Sequence, residues 1–180
     1  MEDWTIRKLD LEEAEFYFEL AYRDDHVNSP NYEFSKMEAR WEKYIEFNIL
    51  EDDFGPVAMG GIYQWSENLA RVVDRFYVFP GFRAASRKSG GLFSHGTASP
   101  KAAIDFMIPY QVAHANAVEC FISIQEKRKR RAAASLAKQL GPDWTLLPDM
   151  YRTADGEYGI QNVLATNEGK ITRRTLPISS

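Results

Sequence analysis

The residues of this chain best suited to chemistry follow a single apolar run. Phe76-Tyr77-Val78-Phe79-Pro80-Gly81-Phe82-Arg83 leads from β-branched and aromatic residues into a segment carrying Arg83, Arg87, Lys88, Ser89, Gly90 and Gly91. A strand that empties into a basic, glycine-bearing loop ahead of a helix suits a phosphate, because helix N-termini offer unpaired N–H groups and the positive end of the helix dipole. The same composition also suits a solvated surface loop. A second positive cluster, Lys127-Arg128-Lys129-Arg130-Arg131, opens a later helix, where positive charge opposes the dipole and an anion would compensate it. A solvated helix face is the simpler reading of that cluster. His26, His95 and His114 show no metal-ligand spacing on one element, although His95 lies in the basic loop, where it could touch an anion. Cys120, the single cysteine, sits in an apolar run; it can form neither an internal disulfide nor a multi-cysteine zinc site.

The bulk composition limits the setting. The chain has 180 residues, 44% hydrophobic and 27% charged, as expected for one globular domain. A net charge of −4 counts against a general nucleic-acid binder. No stretch approaches the roughly 18 apolar residues of a transmembrane helix. The acidic start shows no signal-peptide pattern, and with the lone cysteine this makes a cytoplasmic protein the expectation. The expected organisation is one domain over residues 1–166 and a polar tail over 167–180.

The elements that must position these residues can be traced in order. Trp4 to Leu9 alternates as a short strand. Asp10 and Glu13 form a capping-box pattern, and the stripe Leu11, Ala14, Phe18, Ala21 and Tyr22 predicts a helix over 11–24. Ser35 and Glu38 repeat the capping pattern, and Met37, Trp41, Tyr44 and Ile45 predict a second helix. Strands are expected over 47–51 and 57–65, with Gly60-Gly61 marking a bulge or a close approach. Residues 72–80 leave neither face polar and read as a central strand. After the long loop over 83–100, which points to function, Ala102, Ile104, Phe106, Ile108, Val112 and Ala113 predict a helix over 101–116, kinked or restarted at Pro109. A strand over 118–124, a helix over 125–140 stopped by Gly141-Pro142, and strands over 144–152 and 158–166 joined through Asp155-Gly156 complete the chain. The order β-α-α-β-β-β-α-β-α-β-β predicts a mixed α/β fold: a mostly antiparallel sheet of six to seven strands with about four helices.

Over residues 4–166 this order resembles the GNAT superfamily of N-acetyltransferases. Val78-Phe79-Pro80-Gly81-Phe82-Arg83 resembles the V-x-P-x-x-R that closes the family's fourth strand, and Ala133, Leu136 and Gly141 resemble positions of the helix after the fifth. The resemblance implies acetyl-CoA wedged between splayed fourth and fifth strands, a thioester polarised by fourth-strand N–H groups, and a small-molecule or protein amine as acceptor. It implies Tyr77, Val78 and Phe79 along the acyl-CoA cleft, and Arg83, Arg87, Lys88, Ser89, Gly90 and Gly91 as the pyrophosphate loop. A base must deprotonate the amine, and Asp74 and Glu119 on the two central strands are the candidates. Tyr17, Tyr22, Trp41 and Tyr44, expected on the first two helices, fall in the region that shapes the family's acceptor site.

The chain departs from the family pattern at three places. Ser86 and Lys88 occupy glycine positions of R-x-x-G-x-G/A, Ala137 stands where the family often has a tyrosine that protonates the leaving thiolate, and Pro109 interrupts the helix under the cofactor. These departures motivate a rival: a catalytically inactive module of this fold, of the kind a viral (phage) or mobile-element protein could carry, working as a homo-oligomer or within a protein complex. A nucleic-acid-binding role through Lys127–Arg131 is a further rival, disfavoured by the overall acidity.

Overall fold

The computed structural model describes residues 4–28, 41–79, 100–115, 119–124, 130–151 and 161–166. In chain order the elements are β1 (Thr5–Lys8), α1 (Leu11–Asn28), a 3-10 turn (Trp41–Lys43), β2 (Tyr44–Asp52), β3 (Gly55–Ser66), β4 (Leu69–Val78), α2 (Pro100–His114), β5 (Glu119–Ile124), α3 (Arg130–Leu140), β6 (Trp144–Tyr151) and β7 (Gln161–Thr166). The strands form one seven-stranded sheet in the order β1-β2-β3-β4-β5-β7-β6. Every neighbouring pair is antiparallel except β4 and β5, which run parallel and are linked through α2. A parallel pair requires such a crossover.

Local chemistry sets the element ends. The expected capping box at the start of α1 is formed in both directions: the Glu13 N–H donates to Asp10 Oδ1 at 2.8 Å and the Asp10 N–H donates to Glu13 Oε2 at 3.2 Å. Arg7 then ties β1 to both neighbours, its guanidinium reaching Glu13 at 2.9 Å and Glu51 of β2 at 3.0 Å. Gly141 ends α3 at φ +95°, with its N–H on the Ala137 carbonyl. α2 runs through Pro109 without restarting.

Successive residues of a strand face opposite ways, and β2 sorts the core accordingly. Phe47 and Ile49 join Ala14, Phe18 and Ala21 under α1. Leu50 joins Ala103 and Met107 under α2 on the other face, where α3 also packs through Leu136. The second helix expected through Tyr44 and Ile45 is corrected at its end: these residues open β2, directly after the turn at Trp41–Lys43, while its expected start at Ser35, Met37 and Glu38 lies outside the described residues. The bulge between Tyr44 and Glu46 and the buried Asn48 blur the two-residue alternation there, leaving the helix-like spacing more visible. On α2 the buried stripe is Ala103, Met107, Ile108 and Gln111, continued by Ala115 just past its end, and Phe106, expected inside, is 43% exposed.

Candidate active site

The central seam of the sheet opens. β4 and β5 pair through only Leu69–Glu119, Ala70–Cys120 and Arg71–Phe121. Beyond Arg71, β4 stays paired with β3 as far as Val78–Ala58, and beyond Phe121, β5 stays paired with β7 as far as Ile124–Asn162. Both flanks hold while the two middle strands part.

β4 carries an irregularity where it leaves β5. Two residues of β3 span three of β4 twice, between Arg71 and Asp74 and again between Asp74 and Tyr77. Val73 and Arg75, on either side of Asp74, both adopt φ 54°. Non-glycine residues there cost about 1–3 kcal/mol each, and a β-branched valine is a true outlier. Strict alternation would put Asp74 on the α2 face with Val72 and Phe76. The paired bulges instead bring Val73 onto that face beside Val72 and turn Asp74 to the opposite one, toward Tyr44.

Asp74 is 3% exposed. A buried carboxylate loses several kcal/mol of hydration, and its neighbours offset this loss. The Tyr44 hydroxyl donates to Oδ2 at 2.5 Å, Arg71 Nε lies 3.0 Å from Oδ1, and Arg75 Nε is 4.0 Å from Oδ2. The Arg71 approach is an ion pair without hydrogen-bond alignment, so among the described residues Oδ1 has no hydrogen-bond donor. Burial, followed by the charge of Asp74 and the hydrogen bond to it, holds the Tyr44 phenol far above the usual tyrosine range, so it stays protonated. Tyr44 packs edge-on against Phe47 and Tyr63. Its ring lies over Gly61, where a Cβ would come within 2.7 Å of both Tyr44 and Phe47. The close approach expected at Gly60-Gly61 is therefore made by aromatic rings.

The other side of β4 is braced by a polar network under α2. Gln111, fully buried, accepts the Val73 N–H at 2.6 Å and donates Nε2 to Asn48 Oδ1 at 3.0 Å and to the Gly60 carbonyl at 3.1 Å. Asn48 donates to Glu46 at 2.6 Å, and Glu46 also accepts from the Tyr110 hydroxyl at 2.7 Å. Burial and then the Glu46 contact push the Tyr110 phenol up to about 12.

The expected site residues fall into three groups. Tyr77 and Val78 lie past the last β4–β5 pair, as does Phe79 just after the strand. Their side chains are buried, Tyr77 and Phe79 on the α1 face and Val78 on the α2 face, so what they present to the seam is backbone. Asp74 and Glu119 are not brought together: Glu119 is half-buried opposite Leu69 at the paired end, five β4 residues or roughly 15 Å of strand from Asp74. Arg83, Arg87, Lys88, Ser89, Gly90 and Gly91 lie outside the described residues. Ala137 packs against the core and brings no hydroxyl to this region. Sequence reasoning missed Tyr44 as the partner of Asp74, and it missed Gln111. The signal for Gln111 was a polar residue one turn after Met107 on an apolar helix face. Among the described residues, no group of three or more His, Cys, Asp or Glu side chains gathers as a metal site.

No protein-family model matches the sequence, and no curated protein matches it. Solved structures do resemble the fold. A chimera of the Vibrio cholerae spermidine N-acetyltransferase superposes with a TM-score of 0.57 at 14% identity, over 92% of this chain and 95% of that one. The spermidine N-acetyltransferase of Vibrio cholerae, solved with CoA and spermine, gives 0.53 at 15% identity over 90% and 92%. A Salmonella typhimurium protein described as an acetyltransferase, solved with acetyl-CoA, gives 0.51 at 13% identity over 91% of each chain.

Proposed function

We propose that this chain, whose fold is that of the GNAT N-acetyltransferases, transfers an acetyl group from acetyl-CoA to an amine of a small molecule or a protein. The observation that carries this reading is the parting of β4 from β5 after three register pairs. A gap between two central strands of one sheet exposes backbone edges to an extended acyl chain, and Tyr77, Val78 and Phe79 border it. The CoA-bound and acetyl-CoA-bound relatives support this donor, and the spermine in one of them supports an amine as the acceptor class.

The chemistry needs a carbonyl held for attack, a base and a route for the proton. The bound ammonium loses one proton to the base, the freed amine nitrogen bonds to the thioester carbon, the C–S bond breaks, and a second proton from that nitrogen passes through solvent to the departing sulfur, so that CoA leaves as its thiol. Backbone N–H groups along the end of β4 polarise the carbonyl, and Arg83, Arg87, Lys88, Ser89, Gly90 and Gly91 receive the pyrophosphate. Asp74 is the proton acceptor. Because it is sealed from solvent, the proton travels through the Tyr44 phenol, whose oxygen takes the ammonium proton as its own passes to the carboxylate. Glu119, at the paired end of the strands, is the second candidate base.

Ala137 favours one alternative, a module that binds its ligands without turnover, because the position offers no acid for a leaving thiolate. Incubation with acetyl-CoA and a panel of polyamines, amino acids and peptides, read by mass spectrometry, tests the proposal: an acetylated amine whose yield depends on the protein supports it, and no product across the panel favours the alternative.

A further inference from the structure

We infer that Gln111 is a positioning residue, and that its bond to the Val73 N–H sets the bulge that opens the β4–β5 seam and turns Asp74 toward Tyr44. The first support is the position of the bond. Oε1 takes the N–H of a residue at φ 54°, two residues beyond the last β4–β5 pair and next to Asp74. A bulge takes a backbone group out of its ladder, and a buried N–H needs a partner. Gln111 is that partner, and it comes from a different element.

The second support is that Gln111 is itself fixed. Its two Nε2 bonds, to Asn48 of β2 and to the Gly60 carbonyl of β3, set the amide's orientation and leave Oε1 as the acceptor. β2, β3 and α2 therefore converge on one N–H of β4. The third support is the bulges' effect on facing. They reverse the direction of Asp74 while Val72, Phe76, Tyr77 and Val78 keep theirs. Gln111 thus acts on the reaction through Asp74 and through the path of β4, without touching a reactant.

Amide hydrogen exchange on the full chain tests this without any ligand. Gln111→Leu keeps the side-chain volume and removes the acceptor. The amides of residues 72–76 should then exchange about tenfold faster or more, while those of Ile49 and Met59 change by less than about twofold. Leu9→Ala, a core truncation under α1, should lower stability without that local signature. Uniform acceleration in both variants, or unchanged rates in Gln111→Leu, would overturn the inference. If Gln111→Leu does not fold, Val73→Gly/Gln111→Leu replaces it, because glycine takes φ 54° without strain; failure of that double variant to fold counts equally against the inference. A second arm rests on the acetyl-CoA reading above. Gln111→Leu should weaken acetyl-CoA binding about tenfold, with recovery on adding Val73→Gly. Wild-type protein that ignores acetyl-CoA would remove the functional reading, and the exchange arm would then decide the inference alone.

Discussion

The Tyr44 hydroxyl meets the Asp74 carboxylate at 2.5 Å, joining the first residue of β2 to the middle of β4 across one strand. Asp74 reaches that position only because Val73 and Arg75 leave the extended conformation on either side of it. Two strained residues thus aim a buried acid at a phenol that stays protonated, beside the place where the sheet opens.

Asp74→Asn and Tyr44→Phe should each lower kcat/KM about a hundredfold or more, the usual weight of general acid–base catalysis. Both should leave the acetyl-CoA dissociation constant within about threefold, since neither group borders the donor in this scheme. Steady-state kinetics with parallel calorimetry would check the pair. Equal losses in binding and turnover would point to a structural role only.

Gly61→Ala should destabilise by about 1–3 kcal/mol, the usual penalty for overpacking, because its methyl would lie 2.7 Å from the Tyr44 and Phe47 rings. Gly60→Ala meets nothing closer than 3.4 Å and should cost less. Denaturant midpoints of the two variants give the comparison, and the reverse order would contradict the placement of Tyr44.

Alkaline pH should weaken the fold through the two phenols. Tyr110 is raised from 10.0 to about 12 and Tyr44 is raised further. The unfolded chain therefore loses these protons first. The stability Tyr110 contributes is full below pH 10 and is lost as pH climbs through about 12, and the loss linked to Tyr44 continues to higher pH. Thermal melts across that range should fall less steeply for Tyr110→Phe than for wild type.

Asp10→Ala should cost about 1 kcal/mol, since it removes the acceptor that caps α1. Acetyl-CoA binding should not change. A matching loss of binding would mean that α1 contributes to the donor site.

Much of the fold was legible because its signals are local. The capping box at Asp10 and Glu13, the glycine stop at Gly141 and the apolar run through β4 each depend on neighbours in sequence. The β2 start was misread because a bulge and a buried Asn48 break the alternation on which strand reading depends. In the candidate site, the acid at Asp74 was readable, but its ion pairing with Arg71 and Arg75 was not, because strict strand alternation places residues one and three apart on opposite faces. The Tyr44 contact was not, since it depends on strand register and on two positive-φ residues that no local rule places at Val73 and Arg75. Gln111 was hidden for a similar reason: its partners lie 38, 51 and 63 residues away.

On the proposed function, the parted seam of β4 and β5 holds acetyl-CoA for transfer to an amine. Calorimetric titration of the full chain with acetyl-CoA, followed by a free-thiol assay with an amine panel, tests it most directly. The expected result is a dissociation constant below about 100 μM, more than roughly 5 kcal/mol of affinity, and thiol release that requires both protein and amine. No binding at millimolar acetyl-CoA would contradict it.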